Sequence, residues 1–183
     1  AVVQEQQRAG QNELAELRKQ VNGLRGRLAS LETLQQAALG QEQGAAVAWL
    51  QSHGLDSAAR VGERLDVDAG WENAVERALG ELIEGVLVDD PARLVDALGE
   101  LGEGRIALVS SDDAALDVAP TSLAARVRGP AAIRRLLAHL HGARDLAEAK
   151  TLQSGLPEGD SVITQDGERL GQGWLRVSRS GAA

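Results

Sequence analysis

Few residues of this chain have the types and spacing that metal binding requires. His139 and His141 stand two positions apart on a predicted helix, which points them to different faces, whereas a metal-binding pair on a helix needs a spacing of three or four. The segment Asp66–Gly70 begins like a calcium loop, but the twelfth position is Arg77, where a bidentate Glu is required. We therefore predict no metal site.

The glycine-rich turns are incomplete as nucleotide-binding loops. Gly102-x-Gly104 and Gly171-x-Gly173 lack the third glycine of a dinucleotide-binding turn, and no such turn is followed by Lys-Ser or Lys-Thr. These glycines are interpreted as turns or packing points. We predict no cofactor.

Catalytic side chains are equally scarce. An α/β enzyme needs convergent titratable groups at the carboxyl ends of strands, and the sequence offers only Ser110, Ser111, Asp112 and Asp89 there. No Gly-x-Ser-x-Gly elbow surrounds the serines, so we interpret them as loop caps. The glutamates from Glu72 to Glu84 fall on the outward face of a predicted helix and are interpreted as solvated surface. No catalytic residue is predicted.

The charge of −8 is unevenly distributed along the chain. Residues 1–40 carry +1, residues 41–125 carry −12 and residues 126–183 carry +3. Two arginine clusters fall in the last segment, the first at Arg126, Arg128, Arg134 and Arg135 and the second at Arg176 and Arg179. The chain has three Trp and neither Phe nor Tyr, so any nucleic-acid contact should be made to phosphates, without sequence preference and with strong salt dependence. A solvated surface is the favoured interpretation of the first cluster.

Length and composition indicate one ordinary domain with an appendage. The chain has 183 residues, 43% of them hydrophobic, and contains no Cys, which excludes disulfides and a cysteine nucleophile. No signal segment or long apolar run is visible, so we expect a cytosolic protein without a membrane anchor. The sequence also lacks Met and begins within a helical pattern, from which we expect a fragment of a longer protein.

The first forty residues carry a heptad pattern. Its apolar seam, spaced alternately three and four residues apart, consists of Leu14, Leu17, Val21, Leu24, Leu28 and Leu31. Such a narrow stripe is typical of a two-stranded coiled coil. We predict a coiled-coil arm over residues 1–40 whose helix ends near residue 40. Isolated helices of this length are marginal, so the seam requires a partner helix.

The pattern becomes globular from Ala45. A short helix is predicted from Ala45 to His53 and an edge strand from Val61 to Val67. The stretch "GWENAVERALGELIEGVLVDD" then reads as an amphipathic helix, Trp71 to Ile83, followed by a buried strand at Val86–Val88. Asp90-Pro91 caps a second helix that carries Leu94, Val95, Leu98 and Leu101, and a strand from Arg105 to Val109 completes a parallel βαβ unit.

The second half continues with helices and a hairpin. Gly129-Pro130 opens a helix that continues through Leu140 and breaks at Gly142, and a further helix covers Leu146–Leu152. Ser161–Thr164 is predicted as a strand, Asp166-Gly167 as a hairpin turn and Arg169–Val177 as the return strand. The predicted fold is α/β of mixed α+β character with mixed sheets, in two lobes at about 45–115 and 120–180.

These motifs together resemble the hinge domain of bacterial SMC (structural maintenance of chromosomes) proteins. The family's aromatic-Glu-x-Ala-Ile-Glu-x-Ala-Leu-Gly block is matched from Trp71 to Gly80, its Gly-Arg-strand by Gly104, Arg105 and "IALV", and its Val-Thr-x-Asp-Gly-Asp stretch within "SVITQDGERL". The resemblance covers about residues 45–180, and the heptads fit the arm that enters the hinge.

The resemblance implies a structural module and not an enzyme. Family hinges form homodimers that join two coiled-coil arms, with a returning arm, ATPase heads and kleisin-type subunits in the full-length protein. It also implies weak DNA binding by Arg176 and Arg179 near the hinge–coil junction, and a cytoplasmic, nucleoid-associated location. The implied dimer interface comprises Arg105, Ile106, Ala107, Leu108, Val109, Gly167, Gly171, Gly173 and Trp174.

Two departures from the family pattern bear on that interface. Trp174 and Leu175 stand where small residues are usual, so a bulkier interface is expected. The second lobe has "HLHGARDLAEA" in place of a run of valines, so one strand is expected to be short or absent. Two other functions stay open at this point, an α/β enzyme with an appended coiled coil and a protein-binding coiled-coil scaffold.

Overall fold

The computed structural model describes residues 1–179. Within that range the chain divides into two compact units, one formed by Ala1–Ala48 with Gly102–Arg105 and the other by Trp49–Leu101 with the chain from Ile106 onward. A mixed helix-and-sheet architecture behind a long N-terminal helix confirms the predicted fold class.

The N-terminal helix α1 runs without interruption from Val2 to Ser52. It does not end near residue 40, and the short helix predicted from Ala45 is its last part. Gly40 and Gly44 have open space around them, so they cost helix propensity without forcing a break. The division into an arm at 1–40 and a hinge at 45–180 stays a prediction.

The first unit presents the heptad seam as an exposed apolar stripe. Its six seam residues are 44 to 63% exposed in the single chain. The loop Gly102–Arg105 belongs to the same unit, and Gly104 adopts φ +92° there with its α-carbon against the Glu42 carbonyl. A side chain at this position would collide with the helix backbone, so the sequence requires glycine.

The first half of the second unit contains short elements. Its elements are α2 (Val61–Arg64), β1 (Asp66–Val67), α3 (Glu72–Leu79), β2 (Val86–Val88) and β3 (Leu108–Ser110). β2 and β3 are parallel, as the βαβ pattern predicts, and pair Val86 with Leu108. The predicted edge strand at 61–67 is wrong over its first four residues, which form α2.

Two predicted helices are shorter than their apolar patterns. α3 ends at Leu79 because Gly80 takes φ +55°, and residues 80–84 continue as a 3-10 turn. The crossover between β2 and β3 is two 3-10 turns, Pro91–Leu94 and Asp96–Glu100, in place of an α-helix. The Asp90 side chain caps the first of them by accepting from Ala92 N at 3.1 Å, as predicted.

The second half forms the larger sheet. Its elements are β4 (Val127–Arg128), α4 (Ala131–Leu137), β5 (Leu140–Ala143), α5 (Leu146–Gln153), β6 (Ser161–Thr164), β7 (Arg169–Gly171) and β8 (Trp174–Arg176). The four-stranded sheet has the order β5-β6-β7-β8, with β5 and β6 parallel and the other pairs antiparallel. β1 and β4 form a separate antiparallel pair.

Strand β5 corrects the predicted helix boundary. The helix that begins after Pro130 ends at Leu137, and Leu140–Ala143 is a strand, so the strand expected to be short or absent is present with four residues. Its partner is β6, which is buried along its whole length. The return strand predicted at 169–177 is likewise two strands, because a turn at residues 172–173 with Gly173 at φ +78° folds β8 back on β7.

The main hydrophobic core draws on both halves of the second unit. Trp71, Val75 and Leu79 of the first half pack with Ile133, Leu137 and Ile163 of the second. Two smaller clusters complete it, one around Trp49 and Val86 and one around Ala149 and Val162. The inward stripe of the Trp71 helix therefore serves packing, as its spacing predicts.

Candidate dimerisation edges and cationic surface

The β2-β3 sheet and the four-stranded sheet of the second unit each have one covered edge and one open edge. β2 is covered by the chain at residues 59–60, where Leu87 N donates to Ala59 O at 2.9 Å. β5 is covered by residues 121–122, where Gly142 N donates to Thr121 O at 2.9 Å. Within residues 1–179 no strand pairs with the outer side of β3 or of β8. Such edges are ready-made templates for pairing with another chain.

Strand β8 has the properties of a pairing edge. Its residues are all exposed, with Trp174 at 46% and Leu175 at 65%. The register pairs Gly171 with Trp174 and Leu170 with Leu175 across a two-residue turn. Because antiparallel pairs alternate between hydrogen-bonded and non-hydrogen-bonded, and the pair next to such a turn is hydrogen-bonded, Leu175 directs its N–H and C=O to the open edge.

Strand β3 begins further along the chain than the sequence pattern predicts. The strand predicted from Arg105 to Val109 begins only at Leu108 and ends at Ser110. Ile106, Ala107 and Leu108 are half-buried, and Val109 is buried in the core. Arg105 is exposed and belongs to the first unit. Of the predicted interface segment, Leu108 and Val109 therefore lie on the open edge itself.

The three predicted interface glycines serve turns and packing within the chain. Gly167 has φ +88° in the turn between β6 and β7, where the side chain of Arg77 lies across it. Gly171 lies directly beneath the Trp174 ring, and a β-carbon there would overlap the ring. Trp174 thus lies on its own hairpin. A role for these glycines in close approach between subunits stays a prediction.

The two predicted DNA-binding arginines have different surroundings. Arg176 is exposed and stands opposite Arg169 in the β7–β8 register. Arg179 is also exposed, but its guanidinium pairs with Glu168 at 2.9 Å. Glu168 is buried, and its second carboxylate oxygen accepts from the Thr164 hydroxyl at 3.2 Å. Arg179 therefore also compensates a buried charge, which its place in the sequence did not suggest.

The first arginine cluster is largely engaged by neighbouring groups. Arg128 donates to Asp66 at 2.7 Å and to Asp68 at 3.0 Å, and this pairing lowers the pKa of Asp66 through the hydrogen bond first and the charge second. Arg126 lies over the Trp71 ring at 5.1 Å. Arg134 donates to the Ala124 carbonyl. The two aspartates that resemble the start of a calcium loop thus hold β1 against β4.

Arg169 was missed by the sequence reading. Its guanidinium lies 5.7 Å from the Trp174 ring, one nitrogen donates to Ser161 Oγ at 3.2 Å, and its buried Nε has no hydrogen-bond partner. Burial lowers the pKa of Arg169, and the charge of Arg176 lowers it further. The signal available in the sequence was the hairpin register, because a turn at residues 172–173 sets Arg169 opposite Arg176.

The two histidines share one carboxylate. His141 lies on strand β5, not on a helix, so the prediction that the two rings point apart is wrong. His139 Nδ1 and His141 Nε2 lie 3.2 and 2.9 Å from the two oxygens of Asp160, and His141 Nδ1 lies 2.8 Å from Thr121 Oγ1. The hydrogen bond to His141 is the main cause of a lowered Asp160 pKa. Across residues 1–179 no three acidic or histidine side chains are placed to hold a metal ion.

The candidate catalytic groups Asp89 and Ser111 follow the paired ends of β2 and β3, where Ser111 N donates to Val88 O at 2.8 Å. Ser110 Oγ accepts from Asp112 N at 3.3 Å, which is the loop-cap role expected for it. The glutamates from Glu72 to Glu84 are exposed, in agreement with a solvated helix face. No helix in the described part of the chain is long and apolar enough to cross a membrane.

Comparison with known proteins identifies this architecture. The family profile described as the SMC proteins flexible hinge domain matches residues 56–153. Chromosome partition protein Smc of Xanthomonas oryzae pv. oryzae is 76% identical over 143 residues, covering 78% of this chain and 12% of that protein. Chromosome partition protein Smc of Coxiella burnetii is 42% identical over 154 residues, covering 82% of this chain and 13% of that protein.

Solved structures share the fold at low sequence identity. The Geobacillus stearothermophilus SMC hinge domain, crystallised as an asymmetric dimer, has a TM-score of 0.50 at 21% identity and covers 82% of this chain and 80% of its own. The Pyrococcus furiosus Smc hinge domain with an extended coiled coil has a TM-score of 0.54 at 18% identity, covering 82% of this chain and 61% of its own.

Together with these matches, a heptad-bearing helix that leads into a mixed α/β unit defines a structural domain of the hinge class. The profile match covers more than half of the chain. The chain accordingly belongs to the SMC hinge-domain family. It spans about an eighth of the length of the curated relatives it matches.

Proposed function

We propose that this chain is the homodimerising hinge of a chromosome-partition SMC protein, joining two coiled-coil arms. The observation that carries the proposal is the pair of open edges, β3 and β8, on two different sheets of the same unit. If β3 of one subunit pairs with β8 of a second, two-fold symmetry repeats the contact and leaves neither edge open. The relatives named Chromosome partition protein Smc support the biological context.

The exposed seam of α1 supports the arm part of the proposal. Six large apolar side chains in heptad spacing face solvent in the single chain, which is costly unless a second helix covers them. In a full-length SMC protein that helix is the returning arm. We extend the proposal to the whole protein, with ATPase heads and kleisin-type subunits at the far ends of the arms and a cytoplasmic, nucleoid-associated location.

We also propose weak, sequence-independent DNA binding centred on Arg176. It is exposed, and Arg169 opposite it has no carboxylate of residues 1–179 within 4.0 Å, so positive charge at this hairpin is uncompensated. Arg179 contributes less, since Glu168 neutralises it. The −12 charge of residues 41–125 would repel a phosphate backbone from other surfaces.

The dimer proposal is tested by molar mass in solution. Light scattering after gel filtration should give twice 19.2 kDa for the unmodified chain. Leu175→Lys places a charge on the open β8 edge without burying it, and it should shift the mass toward the monomer. Val95→Lys is the matched control, because Val95 is 60% exposed but lies between the two 3-10 turns and not on a sheet edge. A monomeric unmodified chain, or equal behaviour of the two variants, would contradict the proposal.

The DNA proposal is tested by fluorescence anisotropy across a salt series. Arg176→Glu should weaken binding to duplex DNA and reduce the slope of log K against log salt by about 0.9 per phosphate contact removed. Arg144→Glu is the control, since Arg144 is exposed and paired with Glu148 on another element. Arg179→Glu is avoided because it would also disturb Glu168. Absence of salt-dependent binding, or an equal effect of both substitutions, would remove the DNA claim and leave the dimer claim intact.

A further inference from the structure

A concave pocket lies between α3 and the sheet of the second half. Its volume is about 190 Å³, and it is lined mainly by apolar side chains of α3, the following 3-10 turn and α4. Leu79, Leu82 and Leu137 form much of its wall, and Leu136, 56% exposed, stands at its mouth. A cavity of about 150 Å³ accommodates a molecule the size of benzene, so an apolar group of that size fits here.

One wall of this pocket is cationic. Arg169 lines it beside Ser161, and the hydrogen bond between them uses the serine oxygen as acceptor, which leaves the hydroxyl proton for a ligand. The Arg169 Nε–H has no partner within the described chain. A half-buried guanidinium without a carboxylate is unfavourable, because burial removes water and no counter-charge replaces it.

The acid beside Ser161 is already engaged by other groups. Asp160 precedes Ser161, but its two oxygens are occupied by His139 and His141. Arg176, opposite Arg169 on β8, adds a second positive charge. The polar end of the pocket therefore favours an anion, and its single guanidinium and hydroxyl suit the two oxygens of a carboxylate better than a strongly hydrated phosphate dianion.

We propose that this pocket binds a small organic carboxylate with an apolar body, the carboxylate on Arg169 and Ser161 and the body against the leucines. The pocket lining includes neither the open edges nor Arg176, although Arg169 also adds to the positive charge proposed for DNA contact. The site is therefore independent of the dimerisation proposal, and Arg176→Glu, which leaves the pocket lining intact, separates it from DNA binding. Hexanoate is a suitable probe, and hexanol is the matched compound without charge.

The test is an NMR titration of the full chain with hexanoate at neutral pH. Binding should shift the Arg169 Nε–H resonance and the methyl resonances of Leu82 and Leu136 along one saturable curve. Hexanol and the Arg169→Gln variant, followed by the leucine methyls, should each bind about tenfold more weakly, the loss expected for one charge-assisted hydrogen bond. Arg144→Gln should bind like the unmodified chain.

A second variant separates ligand loss from misfolding. Ala78→Leu keeps Arg169 but fills the pocket from a helical position, so it should abolish hexanoate binding while the remaining resonances stay dispersed. Three results would overturn the proposal: no saturable shift with hexanoate, equal binding of hexanol, or unchanged binding by Arg169→Gln or Ala78→Leu.

Discussion

Gly142→Ala should destabilise the second unit although it adds a single methyl group. Gly142 lies on β5 directly beneath the buried Trp71, and an added β-carbon would lie 2.6 Å from Trp71 Cζ3 and 2.9 Å from Cη2. Ordinary carbon contacts are about 3.5–4.0 Å, so the ring or the strand must move by about 1 Å.

Neither strand β5 nor the Trp71 ring can move easily. The strand is held by its pairing with Ile163 and by the hydrogen bond from Gly142 N to Thr121 O, and the ring is covered by Arg126. Overpacking of this kind costs about 1–3 kcal/mol of unfolding free energy. For a chain of this length that corresponds to a melting temperature lower by about 2–12 °C.

The assay is urea unfolding followed by circular dichroism and Trp fluorescence. Gly155→Ala is the control, because its nearest neighbour would be Leu152 O at 3.9 Å and its φ is not positive, so it should be neutral or stabilising by up to about 1 kcal/mol. In a Trp71→Phe background, where the outer ring atoms are gone, Gly142→Ala should cost less by at least about 0.5 kcal/mol. A loss no larger than that of Gly155→Ala, or the same loss in both backgrounds, would refute the reasoning.

Two further predictions concern buried polar contacts. Asp160→Asn should lower stability by about 1–3 kcal/mol near pH 5. Because the hydrogen bond to His141 holds the folded Asp160 pKa below its ordinary 3.8, this stabilisation is present above pH 3.8 and is lost as the pH falls through the lower folded pKa. The unfolding curves of the variant and the unmodified chain should therefore converge as the pH is lowered below 3.8, and a gap that stays constant over that range would contradict the assignment. Thr164→Val removes the two hydrogen bonds that the Thr164 hydroxyl makes with the buried Glu168 and should cost about 1–3 kcal/mol of unfolding free energy. Thr151→Val, on an exposed helix face, should cost under about 0.5 kcal/mol, and equal costs would show that the Glu168 contacts contribute little.

Local patterns correctly predicted the elements in which the apolar spacing of the sequence agrees with the residues that the fold buries. β6 and β2 were placed at their observed residues, 161–164 and 86–88, and α5 was placed to within one residue, because each is a patterned run between turn residues. The parallel pairing of β2 with β3 followed from the handedness and connection rules alone. The resemblance to SMC hinges rested on the block from Trp71 to Gly80, on Gly104-Arg105 with "IALV" and on "SVITQDGERL", and it is confirmed by the family match.

Tertiary context decided the elements that were misplaced. "LHGA" carries no strand pattern, and it becomes β5 because β6 pairs with it and Trp71 fills the space above Gly142. Helix α1 passes Gly40 and Gly44, since a glycine in a long helix costs too little to end it. The 3-10 turns after Asp90 satisfy the same apolar spacing that suggested an α-helix.

The candidate site was predictable by segment but not by contact. The interface segments follow from the resemblance, and the open edges of β3 and β8 become visible only when residues 59–60 and 121–122 are seen to cover the opposite edges. The pairing of Arg179 with Glu168 joins residues eleven positions apart through a turn and a hairpin, and no periodicity signals such a contact.

Cross-linking between introduced cysteines tests the central claim most directly. The chain has no native Cys, so Ser110→Cys on β3 and Leu175→Cys on β8 provide the only thiols in each variant. Pairing of β3 with β8 across subunits predicts that a mixture of the two variants forms a disulfide-linked or short-linker dimer efficiently, while each variant alone does so poorly. Efficient cross-linking of Leu175→Cys with itself, or none in the mixture, would contradict the proposed joining of the two arms.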